Sequence, residues 1–484
     1  MDKNLTALKP SLVWKHFAAI TQIPHPSHHE EKIREYVVNF AKAQGLEHSV
    51  DEANNVYVYK PATPGMEGKK GVIMQAHLDM VAQKNNDKEF DFENDPIEAY
   101  IDGEWVTANG TTLGADNGIG AAAILAVLED DSIPHGQIEG LFTATEETGL
   151  VGAFGLKGGL LKGDILLNLD SETEGELYVG CAGGLDIAVS LPYASVATPA
   201  GYKAYTLEVK GLKGGHSGIQ IVCQRANANK ELFRFIFHTK LEILLAPVDG
   251  GGLRNAIPRE AIATVLVKES DAAAFETAVA AHEKMIIAEY DGIEDSVSIT
   301  ATPTELPAEI IPSEVSSALI KAIVGAPNGV NRMSMAMEGL VQTSSNMARV
   351  VSDGKCVDIH CLLRSSVRSE KHALGESIKA VFELAGATVE LSGDYDGWKP
   401  NMASPILKAM TESYEALYGR KPVVTAIHAG LECGIIGGVY PNLDMISFGP
   451  TICYPHSPNE KVEIASVAKF YDFLLYTLKN APEK

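Results

Sequence analysis

Acidic and histidine side chains stand at the ends of several apolar runs in this sequence. The run GVIMQAHLDM ends with His77 and Asp79, GLFTATEE ends with Glu146 and Glu147, and DILLNLD ends with Asp170. Imidazoles and carboxylates bind divalent transition-metal ions, and they also transfer protons. Metal-assisted hydrolysis is therefore the chemistry that these residue types indicate.

Two more candidate ligands lie outside those runs. Asp116 stands in the Gly-rich loop TTLGADNGIG, directly before a helical pattern, and His456 follows the strand-like DMISFGP through TICYP. Each has an ordinary structural explanation, because Asp in such a loop is usually a turn or capping residue and His456 lies between prolines in a loop. Charged residues that recur at the ends of otherwise apolar strands have no such explanation, and they favour a common site.

Two divalent ions about 3.5–4 Å apart need a carboxylate that bridges them, together with further nitrogen and oxygen ligands. Two histidines with three carboxylates favour zinc, cobalt or manganese over calcium. A further carboxylate should stay off the metals as a base, and another should orient a ligating imidazole. Asp79, two residues after His77, is placed for orienting it. Of Glu146 and Glu147, one can bind metal while the other acts as the base.

Strands alternate with helices in the first part of the chain. Strand-like runs cover 56–60, 71–80, 140–147 and 164–170, and a buried helical pattern covers 121–130. Such alternation predicts an α/β sheet whose strands run mostly parallel. In open sheets of this kind, ligand sites lie outside the carboxyl ends of the strands, so the predicted sheet would gather the candidate residues in one place.

The pattern changes after about residue 185 and changes back near Trp398. Between these points, alternating strands, helices and a hairpin with Asp353-Gly354 in its turn indicate an α+β domain with antiparallel strands and helices on one face. The sequence therefore predicts a catalytic domain made from residues 1–185 and 395–484, with an inserted domain at 186–394.

Net charge, apolar runs and cysteine usage indicate which partners and which cellular compartment to expect. A formal net charge of −23 repels phosphate backbones and anionic lipids, so we expect no nucleic acid and no membrane as partners. The N-terminus lacks a signal-peptide pattern, and no window approaches the ~18 apolar residues of a membrane span. Six cysteines without CxxC pairs fit a reducing compartment. These features predict a cytoplasmic protein.

Several motifs resemble the M20 metallopeptidases, which are dinuclear zinc peptidases of the aminoacylase and carboxypeptidase G2 type. AHLDMVAQ, GTTLGADNGIG, TATEETG, NLDSE, GLKGGHSG and HSPNE carry this resemblance. The segments IPHPSHHEE, KPATPGME, IDGEWV, LRNAIPRE, APNGV, HAGLECG and PHSPNE are similar to the bacterial dipeptidases of that family that act on aminoacyl-histidine substrates. The similarity extends over nearly the whole chain and is weaker at 186–200 and 269–325.

The resemblance implies a phosphorylase/hydrolase-like α/β catalytic domain and an inserted α+β lid that also serves as the dimerisation domain of a homodimer. It implies two divalent ions per chain, zinc in the first place, with cobalt or manganese as alternatives. The implied metal ligands are His77 and Asp170 in one site, Glu147 and His456 in the other, and Asp116 as the bridge. Glu146 would be the base that activates a metal-bridging water, and Asp79 would orient His77.

Three residues of the predicted insert are candidates for binding substrate. The spacing of GLKGGHSG alone favours a turn histidine at His216, whereas the resemblance implies that His216 stabilises the tetrahedral oxyanion, from the same chain or from a partner subunit. Asn255 and Arg364 are candidates for binding the substrate's carbonyl or C-terminal carboxylate, although Arg364 could equally form a structural ion pair. Glu432 in HAGLECG lies in a segment of the catalytic core and has no assigned role.

The function predicted from the residues and the resemblance is metal-dependent hydrolysis of dipeptides, among them Xaa-His and β-alanyl-histidine. An N-acyl amino acid deacylase or a tripeptidase on the same scaffold would share the metal centre. A non-catalytic metal-binding protein is the remaining alternative. The presence of Glu146, which no metal needs, argues against that last alternative.

Overall fold

The computed structural model describes residues 3–484, which form two compact units. Unit 1 comprises the described residues up to Gly180 together with Trp398–Ala426 and Leu431–Lys484, and unit 2 comprises Cys181–Gly397 and Ile427–Gly430. The predicted insert at 186–394 lies within the bounds of unit 2. Whether unit 2 acts as a lid or a dimerisation domain stays a prediction.

The segment Ile427–Gly430 corrects one predicted boundary, because the sequence assigns it to the C-terminal part of the catalytic domain. Its contacts with unit 2 explain the difference. Ala182 donates its backbone N–H to the carbonyls of Ile427 and Ala429, and the buried side chain of His428 lies 2.7 Å from Ser344 Oγ through its Nε2.

The described residues form eleven α-helices and three short 3₁₀ helices. The helices are α1 (Ser11–Ile20), α2 (Glu31–Ala43), α3 (Ala115–Glu129), α4 (Val151–Gly155), α5 (Ala228–His238), α6 (Ala272–Glu289), α7 (Ser313–Gly325), α8 (Arg368–Leu384), α9 (Pro405–Tyr418), α10 (Glu432–Val439) and α11 (Ile464–Lys479). Short 3₁₀ helices cover Leu5–Ala7, Ile221–Cys223 and Glu269–Asp271.

The strands belong to two large sheets and three small ones. In chain order they are β1 (Glu47–Val50), β2 (Val56–Lys60), β3 (Val72–His77), β4 (Ala99–Asp102), β5 (Trp105–Ala108), β6 (Ile138–Thr143), β7 (Ile165–Asn168), β8 (Glu176–Cys181), β9 (Gly183–Pro192), β10 (Val196–Ala197), β11 (Tyr202–Lys210), β12 (Gly215–His216), β13 (Ile243–Gly251), β14 (Ala256–Ile257), β15 (Ala261–Lys268), β16 (Ser298–Thr304), β17 (Glu309–Ile310), β18 (Gly329–Met333), β19 (Val341–Ser352), β20 (Cys356–Ser365), β21 (Thr388–Tyr395), β22 (Val423–Ile427), β23 (Asp444–Ser447), β24 (Ile452–Cys453) and β25 (Lys461–Glu463).

The main sheet of unit 1 has the order β1-β2-β6-β3-β7-β23-β8-β22. Its central strands β6, β3, β7 and β23 pair in parallel, whereas β1 with β2, β2 with β6, and β23 with β8 pair antiparallel. The predicted parallel arrangement is therefore right for the centre of the sheet and wrong for these flanking pairs. The short loop between β1 and β2 explains the first of them, because a parallel pair needs a long crossover connection.

The central strands end earlier than the sequence predicts. β3, β6 and β7 are buried along their whole length, which explains their continuous apolar character. They end at His77, Thr143 and Asn168, so the predicted spans 71–80, 140–147 and 164–170 run too far. Beyond these ends the chain turns, and the polar residues of the apolar runs lie in the turns.

Unit 2 contains a nine-stranded sheet with the order β16-β11-β15-β13-β19-β20-β9-β21, and β18 pairs with β19 beside this path. Its pairs are antiparallel. Helices α5, α6, α7 and α8 contribute side chains to a single buried cluster with the sheet. The predicted hairpin is β19–β20, and Gly354 in its turn has a φ of +89°.

Two whole-chain features concern membranes and disulfides. None of the helices within residues 3–484 combines the length and the apolar character that crossing a membrane requires. No disulfide bond joins any of the six cysteines within residues 3–484.

Candidate metal centre

The five predicted metal ligands come from five separate segments of unit 1. They are His77 at the end of β3, Asp116 in the first turn of α3, Glu147 after β6, Asp170 after β7, and His456 between β24 and β25. The central strands deliver three of them at their carboxyl ends, where α/β sheets bind ligands.

Asp116 stands between two groups of donor atoms. The first group contains His77 and Asp170, the second contains Glu147 and His456, and Asp116 belongs to both. Its Oδ1 lies 3.2 Å from His77 Nε2, and its Oδ2 lies 3.2 Å from His456 Nε2. Asp170 Oδ1 lies 3.3 Å from His77 Nε2, and Glu147 Oε1 lies 3.0 Å from His456 Nε2. Within each group the donor atoms lie within 4.8 Å of one another. One carboxylate thus offers one oxygen to each group, which is the arrangement that a bridging ligand needs.

The donor set fits two divalent ions. Glu147 Oε1 and Asp170 Oδ1 are buried oxygens, and each lies close to a histidine ring nitrogen, Glu147 Oε1 to His456 and Asp170 Oδ1 to His77. When the two imidazoles are neutral metal ligands, a cation among the donors of each group would satisfy these oxygens, which are costly to bury without a partner. Imidazole nitrogen combined with carboxylate oxygen is a donor set that zinc, cobalt and manganese accept.

The carboxylates around the two histidines favour protonated imidazoles. Hydrogen bonds to Asp116 and Glu147 raise the pKa of His456 to about 11. Burial lowers the pKa of His77, but the surrounding carboxylates, with Asp170 first, more than offset this and hold it well above its usual value. A metal ion that binds these imidazoles displaces their protons, because only the neutral ring is a ligand.

Glu146 lies beside the first donor group, and one of its carboxylate oxygens is within 4.8 Å of donor atoms of His77 and Glu147. Burial raises the pKa of Glu146 well above its usual range; the charge of His77 opposes this, and nearby carboxylates such as Asp170 raise it further. Neither of the two donor groups that share Asp116 needs Glu146 as a ligand. A carboxyl group that is free of the metals and has a raised pKa is suited to act as a general base.

Asp79 contacts the ring of His77 and also the backbone of the two glutamates, Glu146 and Glu147. The nearest oxygen of Asp79 to His77 Nδ1 is its main-chain carbonyl at 2.9 Å, while Oδ1 lies at 3.4 Å. Its carboxylate accepts the backbone N–H groups of Glu146 at 2.8 Å and Glu147 at 3.2 Å, and the hydroxyl of Ser27 at 2.7 Å. Although burial opposes it, hydrogen bonding, with His77 first, lowers the pKa of Asp79 to about 2. Asp79 therefore ties His77 to the segment that carries both glutamates.

Two residues of the site have left-handed backbone conformations that are unusual for residues other than glycine. Thr145 has a φ of +52°, and His456 has a φ of +59°. The Thr145 hydroxyl donates to Glu30 Oε1 at 2.6 Å, which helps to hold the turn before Glu146. Such conformations cost about 1–3 kcal/mol each, and they persist where the surrounding structure fixes them, often at functional sites.

Glu460 lies behind the loop that carries Asp116. It is 2 % exposed, and its two carboxylate oxygens accept the backbone N–H groups of Leu113, Gly114, Ala115 and Asp116. Burial raises the pKa of Glu460 to about 7, while these donors favour the charged form. Only the ionised carboxylate can accept all four.

Glu432 is fully buried between the two central strands that end at the site. Its Oε2 accepts hydrogen bonds from Gln75 Nε2 at 2.5 Å and from the Thr143 hydroxyl at 2.8 Å. Burial raises the pKa of Glu432 to about 8. The sequence offers no role for Glu432, and the structure makes it a polar link between β3 and β6.

His216, in unit 2, has one ring nitrogen engaged and one available. Its Nδ1 lies 3.1 Å from the backbone nitrogens of Gly218 and Ile219, both of which donate to it. The ring proton must then sit on Nε2, which becomes a donor. Burial and the charge of Arg364 lower the pKa of His216, so the neutral form is favoured. This tautomer suits the predicted oxyanion donor.

Arg364, in the same unit, is 6 % exposed, and its Nε has no hydrogen-bond partner among the described residues. No carboxylate of residues 3–484 forms an ion pair with Arg364, which weakens the alternative of a structural ion pair. A Cβ built on Gly218 would lie 3.1 Å from Arg364 Nε, 3.0 Å from His216 Cε1 and 2.2 Å from the His428 carbonyl oxygen. The His216 and Arg364 side chains and the His428 carbonyl therefore converge at Gly218, where only glycine fits.

Asn255 is exposed, and its carbonyl accepts the backbone N–H of Ser217 at 2.8 Å. This contact places Asn255 beside the His216 segment, and its role with substrate stays a prediction.

The structure brings the five predicted ligands together with Glu146 and Asp79 in unit 1, and it brings His216 and Arg364 together in unit 2. The sequence does not predict the supporting contacts of Ser27, Glu30 and Glu460. All three residues lie inside motifs recognised for their resemblance, IPHPSHHEE and PHSPNE, but a motif does not indicate which backbone groups a side chain will hold.

Comparison with known proteins gives one family and several full-length relatives. Residues 73–480 match the model of peptidase family M20/M25/M40. The cytosol non-specific dipeptidase of Escherichia coli K12 is 45% identical over 483 residues, which cover 99% of this chain and 100% of that protein. The crystal structure of aminoacylhistidine dipeptidase from Vibrio alginolyticus superposes with a TM-score of 0.96 at 47% identity and covers 99% of both chains. A tripeptidase from Staphylococcus aureus shares the fold alone, with a TM-score of 0.57, 18% identity and 98% of both chains covered.

Proposed function

Because this chain belongs to peptidase family M20/M25/M40, we propose that it is a metal-dependent dipeptidase whose centre is the pair of donor groups that share Asp116. The bridging position of that carboxylate is the observation that carries the proposal. The relatives named as dipeptidases support the substrate class. A protein that only binds metal would not need Glu146 beside the donors.

The metal ligands proposed are His77 and Asp170 for one ion, Glu147 and His456 for the other, and Asp116 for both. When bound, two ions of this kind lower the pKa of water and polarise the scissile carbonyl group. Zinc is the ion proposed first, and cobalt or manganese would fit the same donors.

The protein's own groups perform the proton transfers. Glu146 takes a proton from the attacking water and delivers it to the amine that leaves when the peptide bond breaks. His216, of this chain or of a partner subunit, donates its Nε2–H to the oxygen of the tetrahedral intermediate, as its tautomer allows. Asp79 keeps Glu146 and Glu147 in place through their backbone N–H groups.

Substrates proposed for this chain are dipeptides with a free C-terminal carboxylate, including Xaa-His and β-alanyl-histidine. The name of the Vibrio relative supports the histidine-containing substrates, and the buried guanidinium of Arg364, which forms no ion pair with a described carboxylate and whose Nε has no hydrogen-bond partner among the described residues, supports recognition of the carboxylate. The name of the Escherichia coli relative supports the cytosol as the compartment. A homodimer formed through unit 2 is also part of the proposal, on the basis of the motif resemblance, and light scattering of the purified chain measures it.

A substrate panel with added zinc or cobalt tests the activity. We expect hydrolysis of β-alanyl-histidine and of general dipeptides, with slower or no turnover of tripeptides and N-acetyl amino acids. Preference for N-acetyl amino acids would identify a deacylase, and preference for tripeptides would identify a tripeptidase. Failure on every dipeptide would sink the proposal.

Arg364 is expected to set KM for dipeptides. Replacing it in Arg364→Met should raise KM about 10–100-fold with a far smaller change in kcat, because a hydrogen bond to a charged group contributes roughly 1.5–3 kcal/mol. Steady-state kinetics on a dipeptide and on its C-terminal amide measure this. The amide lacks the carboxylate, so the substitution should cost little there.

Arg349→Met is the matched control, because Arg349 lies on β19 of the same sheet and pairs with Asp249. It should leave both substrates nearly unaffected. An equal rise in KM on the acid and the amide would contradict the carboxylate assignment for Arg364.

A further inference from the structure

Glu460 makes an unusual number of contacts with one loop. Its Oε2 accepts the N–H of Leu113 at 2.7 Å and of Gly114 at 3.0 Å, and its Oε1 accepts the N–H of Ala115 at 2.8 Å and of Asp116 at 3.2 Å. A helix-capping side chain ordinarily satisfies one or two backbone donors. Four consecutive amides therefore point at a single carboxylate, and they fix the path of the backbone up to Asp116.

The captured loop has a conformation that a regular helix does not provide. Gly114 has a φ of +72°, and Asp116 has non-helical angles of φ −85° and ψ 104° within the first turn of α3. Glu460 is the side chain that accepts all four of these amides, so it holds them convergent. The direction of the Asp116 carboxylate depends on that backbone, because the side chain is short.

Glu460 also belongs to the segment of the other histidine ligand. It follows His456 by four residues in PHSPNE, and its backbone N–H donates to Ser457 at 3.0 Å. Its carbonyl accepts the hydroxyl of Thr107 at 2.8 Å, which anchors the segment to β5. Glu460 thus joins the two loops whose ligands, Asp116 and His456, face each other across 3.2 Å.

We propose that Glu460 is a positioning residue that holds the Asp116 loop against the His456 loop and so sets the affinity of the second ion site, formed by Asp116, Glu147 and His456. This inference rests on the metal centre of the proposed function. The first site should depend on Glu460 less, because His77 and Asp170 come from β3 and from the turn after β7.

Glu460→Gln tests this role with little change in shape. The amide keeps one accepting oxygen and turns an NH₂ donor toward two backbone N–H donors. Zn²⁺ affinity is measured by competition with a chromogenic chelator, and the melting temperature is measured after chelation. We expect the wild type to bind two ions, and the variant to bind one with a much smaller loss of affinity than the other, which should bind about 10–100-fold more weakly, as for other residues that orient ligands.

Glu463→Gln is the matched control, because it removes one carboxylate from the same segment and should leave both affinities unchanged. Glu460→Asp keeps the charge with a shorter reach, so it should weaken the same site less and stands in if the Gln variant does not fold. A lower melting temperature with both affinities retained would show a purely structural cap and overturn the proposal. Equal weakening at both sites would overturn it too. A wild type that binds fewer than two ions would instead contradict the proposed metal centre.

Discussion

Glu146→Gln is expected to lower kcat for dipeptides by about 10²–10⁴-fold, the range for a lost general base. The amide is nearly isosteric with the carboxyl group but cannot accept the proton of water or return it to the leaving amine. KM should change little, because the same donors and the same carboxylate-binding groups remain. Steady-state kinetics on β-alanyl-histidine, together with metal analysis, measure the result.

Unchanged metal content is what separates a base from a ligand in this experiment. Glu146→Asp should restore part of the activity, since it keeps a carboxylate at a shorter reach. Glu104→Gln, at an exposed position of unit 1, serves as the neutral control. If Glu146→Gln lost one ion, Glu146 would be a ligand, and if it retained most of its activity, the base would have to be another group.

Asp116→Asn should have an effect of similar size by a different route. The substitution removes the charge that both donor groups share, so we expect one of two ions to be lost at ordinary metal concentrations. Losing that ion would remove several kcal/mol of transition-state stabilisation, so kcat/KM would fall about 10³-fold. Isothermal titration with Zn²⁺ and the dipeptide assay measure the two effects separately.

Added metal provides the internal check on Asp116→Asn. An amide oxygen can still coordinate, so a large excess of Zn²⁺ or Co²⁺ should restore part of the second site and part of the activity. Asp102→Asn is the control, because Asp102 is an exposed residue at the end of β4. This variant should bind zinc and cleave dipeptides as the wild type does. Two ions bound with normal affinity by Asp116→Asn would rule out the bridging role.

The sequence predicts the site better than it predicts the elements around it. Charged residues at the ends of buried strands must have a function or a partner, so His77, Glu147 and Asp170 stand out without a structure. Strand ends are harder, because they are set by where the chain can turn. The left-handed residue Thr145 ends the run after β6, and nothing in TATEE indicates that conformation.

Contacts between distant segments account for the rest of what the sequence cannot predict. Glu460 meets backbone amides more than 340 positions earlier, and such amides are present in every residue, so no spacing identifies them. His428 joins unit 2 through Ser344, although the residues on either side of its segment belong to unit 1. The antiparallel pairing of β1 with β2 follows from the short loop between them, a feature that hydrophobic periodicity does not include.

The position of β23 has a consequence for the making of this protein. Strand β23, at Asp444–Ser447, lies between β7 and β8, which precede it by more than 260 residues. A growing chain on the ribosome must therefore leave that place in the sheet open until residues 444–447 have emerged. His456 and Glu460 arrive later still. A chain released before residue 456 by a nonsense codon or a stalled ribosome would lack both residues, so such a chain could not assemble the proposed second ion site and should not cleave peptides.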